Sequence, residues 1–193
     1  AAAASTLNAQ DVLNTTASRQ FGHAQLFPTF VTDAPNLVEG REFFTPTDVV
    51  VDQSATPPVL YVADSNNNRI LGWRNARAYA NGSTADFVIG QINLFTTIPQ
   101  GPMEGRNPVG LNRPTGMAVD GQGNLYVADV QNQRILRFPR PYEQGGSVKV
   151  PDLVLGQRDF TTRAINQGGL SASSLWLSRE PDHVIGLTLD AQG

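Results

Sequence analysis

The sequence predicts an all-β protein assembled from repeated four-stranded antiparallel units. Two observations carry this. The first is a run of short apolar segments separated by turn-forming clusters. Gly116 to Val119 and Leu125 to Ala128 flank Asp120-Gly-Gln-Gly-Asn124, Asp129 to Gln133 forms a polar turn, and Pro139 stops a third segment begun at Arg134. Gly, Asn and Asp tolerate the backbone angles of tight turns, and proline cannot continue a strand ladder. The second observation is that the same text occurs twice. Pro46, Asp52, Tyr61-Val-Ala-Asp64 and Arg69-Ile-Leu71 return as Pro114, Asp120, Tyr126-Val-Ala-Asp129 and Arg134-Ile-Leu136, at a period of about 65 to 68 residues. Asp86-Phe-Val-Ile-Gly-Gln91 returns as Asp152-Leu-Val-Leu-Gly-Gln157, which supplies a fourth strand to each unit. Repetition of four-stranded units is the signature of a β-propeller.

The elements follow in order. Residues 1–43 are read as an N-terminal extension and the end of a preceding blade, because Gly22 and Phe27 align with Gly90 and Phe95. A blade spans 44–97, with Phe43-Phe44 expected to dock in the core. Residues 98–110 form an interblade loop rich in Gly and Pro. A second blade spans 111–162, and its register differs by three residues at the turn holding Thr56-Pro57-Pro58, where an insertion is tolerated. Residues 163–193 hold the next interblade loop and the start of a further blade, since Gly186-Leu-Thr-Leu-Asp190 repeats Gly116-Met-Ala-Val-Asp120. The text stops inside that third copy. The expectation is an incomplete ring in this chain, to be completed by a longer protein, by further copies, or by another chain that caps it.

The repeated text resembles the NHL repeat family, in the phrase Val62-Ala-Asp-Ser-Asn-Asn-Asn-Arg-Ile70 and in Pro114 to Arg134. The Gly-Gln and Phe-Thr-Thr tail of each copy (Phe95 to Thr97, Phe160 to Thr162) resembles a subfamily of bacterial secreted NHL proteins. The resemblance covers most of residues 44–193. It implies propeller blades, and secretion or a cell-surface location. It does not imply one activity, because propellers host many functions.

Composition narrows the field. The chain has 193 residues, a net charge of −3, no cysteine, 18 Gly and 13 Pro. Disulfides and thiolate metal sites are excluded. An acidic balance with a single lysine, Lys149, argues against nucleic acid. No apolar run is long enough to span a membrane as a helix. The opening Ala1-Ala-Ala-Ala-Ser5 admits two readings: a terminus left by cleavage at an Ala-x-Ala site, or residues added to the natural chain. We take the first, in keeping with the secreted subfamily. Asn14-Thr-Thr and Asn81-Gly-Ser fit the N-glycosylation pattern, which matters only in a eukaryotic exported protein.

Candidate chemistry is sparse. Asp64 with Arg69, and Asp129 with Arg134, recur at one spacing and are read as structural pairs pinning the second hairpin. Asn66-Asn67-Asn68 and Gln131-Asn132-Gln133 could bind sugar hydroxyls but are first of all turn formers. Asp120-Gly-Gln-Gly-Asn124 faintly resembles a calcium loop without its acidic terminal ligand, and is read as a turn. Trp73, Phe95 and Phe160 are expected in the core. His23 and His183 are too few for a metal site, so no metal, cofactor or catalytic residue is assigned. Five residues stand outside the repeated text and are the candidates for contact: Arg106, Asn107, Arg163, Asn166 and Trp176. The functional expectation is a noncatalytic binding or assembly module, whose loops contact protein or glycan, or whose copies complete the ring. The alternative is part of a propeller enzyme, a metal-dependent lyase or hydrolase whose site lies mostly in further blades.

Overall fold

The computed structural model describes residues 38–101, 108–167, 169–177 and 184–190. His23, Phe27, Arg106, Asn107 and His183 lie outside them. Two four-stranded antiparallel sheets carry the fold. The first has the order β1 (Pro46–Asp52), β2 (Val59–Asp64), β3 (Arg69–Trp73), β4 (Phe87–Ile89). The second has the order β5 (Pro114–Val119), β6 (Leu125–Asp129), β7 (Arg134–Phe138), β8 (Leu153–Leu155). Each sheet is a meander in which consecutive strands are neighbours. The arrangement is all-β, with two blades of propeller type among the described residues.

The blades stack face to face, and period-2 alternation decides what each face offers. Tyr61, Ala63, Ile70, Phe87 and Ile89 of the first blade share one cluster with Leu111, Met117, Val127, Leu136 and Phe138 of the second. The opposite face of the first blade forms a separate cluster of Leu60, Val62, Leu71, Trp73 and Val88. Burial on both sides explains why β2 reads as an unbroken apolar run, with all six residues buried. β7 instead alternates buried with half-buried positions, because only one of its faces is covered by the other blade.

Both second hairpins turn in the same way. Ser65–Asn67 and Val130–Asn132 form single 3-10 turns, followed by Asn68 and Gln133 in the left-handed region at φ 54°. Asn adopts that conformation more readily than most residues; Gln133 is held there by a bond from its Nε2 to Val130 O.

Two expectations about aromatic residues need correction. Phe95 is 69% exposed, whereas its repeat partner Phe160 packs half-buried against the interblade core. Of the pair Phe43-Phe44, Phe43 meets Trp73 edge to face at 6.2 Å, while Phe44 is half exposed. The chain bends at Phe44 and Thr45, with Thr45 at positive φ, before β1 begins.

Candidate functional site

The repeated charged residues lie inside the blades. Arg69 Nε donates to Asp64 Oδ2 at 2.7 Å and Arg134 Nε to Asp129 Oδ2 at 2.8 Å, and all four side chains are fully buried. Strand register brings them opposite each other: Asp64 pairs with Arg69, and Asp129 with Arg134, at the last rung before the turn. The remaining bonding capacity is used as well. Asp64 Oδ1 accepts Phe44 N and Asp129 Oδ1 accepts Asn112 N, both at 2.7 Å. Asn67 and Asn132 donate from Nδ2 to the same two carboxylates. Arg69 reaches Leu94 O and Glu42 O, while Arg134 reaches Phe160 O and Gly110 O. Each Asp–Arg pair thus ties a hairpin to the loop entering its blade and to the loop leaving it. Buried charge persists when paired and fully hydrogen-bonded, and here it is both.

The amide side chains form a second repeated joint. Gln91 Nε2 donates to Asn68 O and Ile98 O, and Gln157 Nε2 donates to Gln133 O and Ala164 O. Asn68 Oδ1 accepts Arg113 N, and Gln133 Oε1 accepts Leu177 N. Asp120 spends both oxygens on its own loop: Oδ1 takes Gln122 N and Asn124 N, and Oδ2 takes Asn124 Nδ2. Burial raises the Asp120 pKa, but the bonds from Asn124 and Gln122 outweigh it and hold the carboxylate below its ordinary value. Three of the carboxylate's roughly four acceptor sites are thus taken up by its own turn. Among the described residues no three His, Asp or Glu side chains stand together in a way that could hold a metal.

The candidate contact residues are distributed differently. Trp176 is 70% exposed, and Leu170 in the same loop is 87% exposed. Arg163 donates from a guanidinium nitrogen to Gln100 Oε1 of the preceding interblade loop. Asn166 sits at positive φ, and its N–H donates to Leu175 O at 3.0 Å. Gln100 N donates to Leu111 O at 2.8 Å, also from a residue at positive φ. The two interblade loops therefore share a backbone path that their side chains do not reveal. Gly90 and Gly156 complete the match, since a Cβ on either would meet Leu111 or Leu175 at under 3 Å. Sequence reading paired the Gly-Gln and Phe-Thr-Thr tails but missed the repetition in the loops that follow them.

Two stacked meanders, each locked by a buried Asp–Arg pair, define the chain as a protein of propeller type. Residues 111–138, which hold β5, β6 and β7, match the family model of the NHL repeat, so the chain carries an NHL repeat. No curated protein matches the chain. No helix among the described residues is long and apolar enough to cross a membrane.

Proposed function

We propose that this chain is a noncatalytic propeller scaffold, acting outside the cell, that binds a protein partner through its interblade loops. One observation carries the reading. The Asp–Arg pairs that recur in both blades are consumed in holding those blades together, whereas Leu170 and Trp176, the most exposed large apolar side chains among the described residues, lie in the interblade loop. Exposed aromatic residues supply contact energy at low entropic cost. The NHL match supports a scaffold that mediates protein contact. The extracellular placement rests on the likeness to secreted NHL proteins.

The test is retention of partner proteins from the surroundings in which the protein is made, by immobilised wild type and by a Leu170→Ala/Trp176→Ala variant. Both positions are exposed, so the melting temperature of the variant should be unchanged. Loss of a retained protein in the variant supports the loop as the contact surface. Equal retention by both proteins overturns it.

A further inference from the structure

We propose that the pocket walled by Arg158 and Arg163 receives a carboxylate side chain, Asp or Glu, of a partner polypeptide. The inference rests on the loop-contact reading and names the chemistry of one contact within it. The pocket has a volume of about 350 Å³, and Thr161, Thr162 and Gln167 line it together with the two arginines. The threonine hydroxyls are committed to the turn: Thr161 Oγ1 donates to Asp159 Oδ1, and Thr162 Oγ1 to Asp159 O. The guanidinium groups therefore set the character of the opening.

Arg158 carries the argument. Its side chain is 73% exposed, and among the described residues it bonds through Nε alone, to Asp159 Oδ2 at 3.3 Å. The other oxygen of Asp159 accepts Thr161 N, Thr162 N and the Thr161 hydroxyl. Arg163 adds a second positive charge, held in position by its bond to Gln100 Oε1. Two cations thus stand against one carboxylate that is half spent on its own turn, in a chain whose net charge is −3. A guanidinium presents a planar fork of N–H donors that matches a carboxylate.

The first blade is a control for what these charges do. Arg158 follows Gln157 where Ile92 follows Gln91. Counting back from Ile98 O and Ala164 O, the carbonyls that accept the two glutamines, Arg163 stands where the first blade has Thr97. The blade framework is therefore built without either charge. The first blade also shows that a following blade leaves this strip open. With the second blade packed on it, Ile92 is 42%, Phe95 69% and Ile98 50% exposed. A further blade on the same plan would leave Arg158 accessible, so the repeat itself does not supply the occupant. The pocket also adjoins the apolar contact residues, because Asn166 N donates to Leu175 O, next to Trp176. An acidic side chain beside an apolar anchor is the partner chemistry that fits both.

The probe is a fluorescein-labelled hexaglutamate peptide, titrated with the full chain and read by anisotropy, with hexalysine as the control. Saturable binding of hexaglutamate alone is expected, weakening as salt rises from about 20 mM to about 200 mM. Arg158→Gln should weaken it by about three- to fivefold, the worth of one exposed charge pair, and should keep the melting temperature because the side chain is exposed. Arg137→Gln removes an arginine that pairs with Asp152 and does not line the pocket, and should leave binding unchanged. Absence of saturable binding, or equal binding by Arg158→Gln, overturns the inference. Inorganic phosphate separates the sources of the anion: if phosphate competes at the peptide's own concentration, the pocket takes small free anions, and a partner's carboxylate is overturned. Leu170 and Trp176 do not line this pocket. Failure here would leave the apolar loop contact standing, while equal retention in the loop test would leave carboxylate binding to stand on this titration alone.

Discussion

Single side chains in this protein divide into those that hold the blades and those that do not, and burial decides between them. Arg134 is fully buried against Asp129, whereas Arg137 forms a bidentate pair with Asp152 in which both partners are partly exposed. Removing one partner of a buried pair leaves the other charge stranded, so Arg134→Ala should cost about 3–5 kcal/mol. A solvent-screened pair contributes less than about 1 kcal/mol, which bounds Arg137→Ala. Urea unfolding of the two variants measures this, and a loss below about 1 kcal/mol for Arg134→Ala would contradict a bracing role. Asp159 gives a pH dependence. Its carboxylate accepts the Thr161 hydroxyl, then the N–H groups of Thr161 and Thr162, and these bonds lower its pKa to about 2. A depressed pKa means the bonded form stabilises the folded turn above the unfolded value of about 3.9, and that contribution disappears as pH falls towards 2. Amide exchange at Thr161 and Thr162 should accelerate across that window. A carboxyl titration midpoint near 3.9 would show the turn bonds to be absent.

At the scale of strands and loops, packing differences between the two blades make each a control for the other. Gly72 lies opposite Phe87 in the register, and a Cβ there would meet the Phe87 ring at 2.2 Å. The matching rung of the second blade holds Arg137 opposite Leu153. Gly72→Ala should therefore cost roughly 1–3 kcal/mol by overpacking. Adding Phe87→Leu, which makes the rung resemble its repeat, should recover part of that loss. A double-mutant cycle that proves additive would show the ring contact to be unimportant. Legibility in the sequence follows the same geometry. The strands could be read because Tyr61-Val-Ala-Asp64 and Tyr126-Val-Ala-Asp129 pair with Arg69-Ile-Leu71 and Arg134-Ile-Leu136 in one and the same register, which is set within each sheet and recurs. Phe95 could not be read, because its exposure depends on where a loop lies after the chain leaves the sheet. The interblade loops looked unrelated because what they share is backbone: positive φ at Gln100 and Asn166, and bonds to the carbonyls of Leu111 and Leu175. Such bonds constrain conformation and leave most side chains unspecified. Trp176 stood out as a residue beyond the repeated text, while the alternating burial of 184–190 emerges only once the second blade lies beneath it.

At the scale of the whole molecule, the two described blades share an apolar interface, and this sets how they unfold. The main cluster draws Tyr61, Ile70 and Ile89 from the first blade and Val127, Leu136 and Phe138 from the second, so neither blade buries its inner face alone. Thr47 and Ser65 also bond backbone carbonyls of the second blade, at Thr115 and Pro114, and Asp48 Oδ2 accepts Met117 N at 2.7 Å. In stacked repeats, stability is a sum of intrinsic repeat terms and neighbour interfaces; cooperativity survives when the interface term is large. Here each sheet has only four short strands, one of them three residues long, so the interface should dominate. Leu136→Ala, fully buried in β7, should cost about 2–5 kcal/mol. The diagnostic feature is where that loss appears. Hydrogen exchange should show protection falling by a similar factor in β2 of the first blade and β6 of the second, because opening one face exposes the other. If β2 keeps its protection while β6 and β7 lose theirs, the blades are independent units, and the shared cluster is a contact between two separately stable sheets.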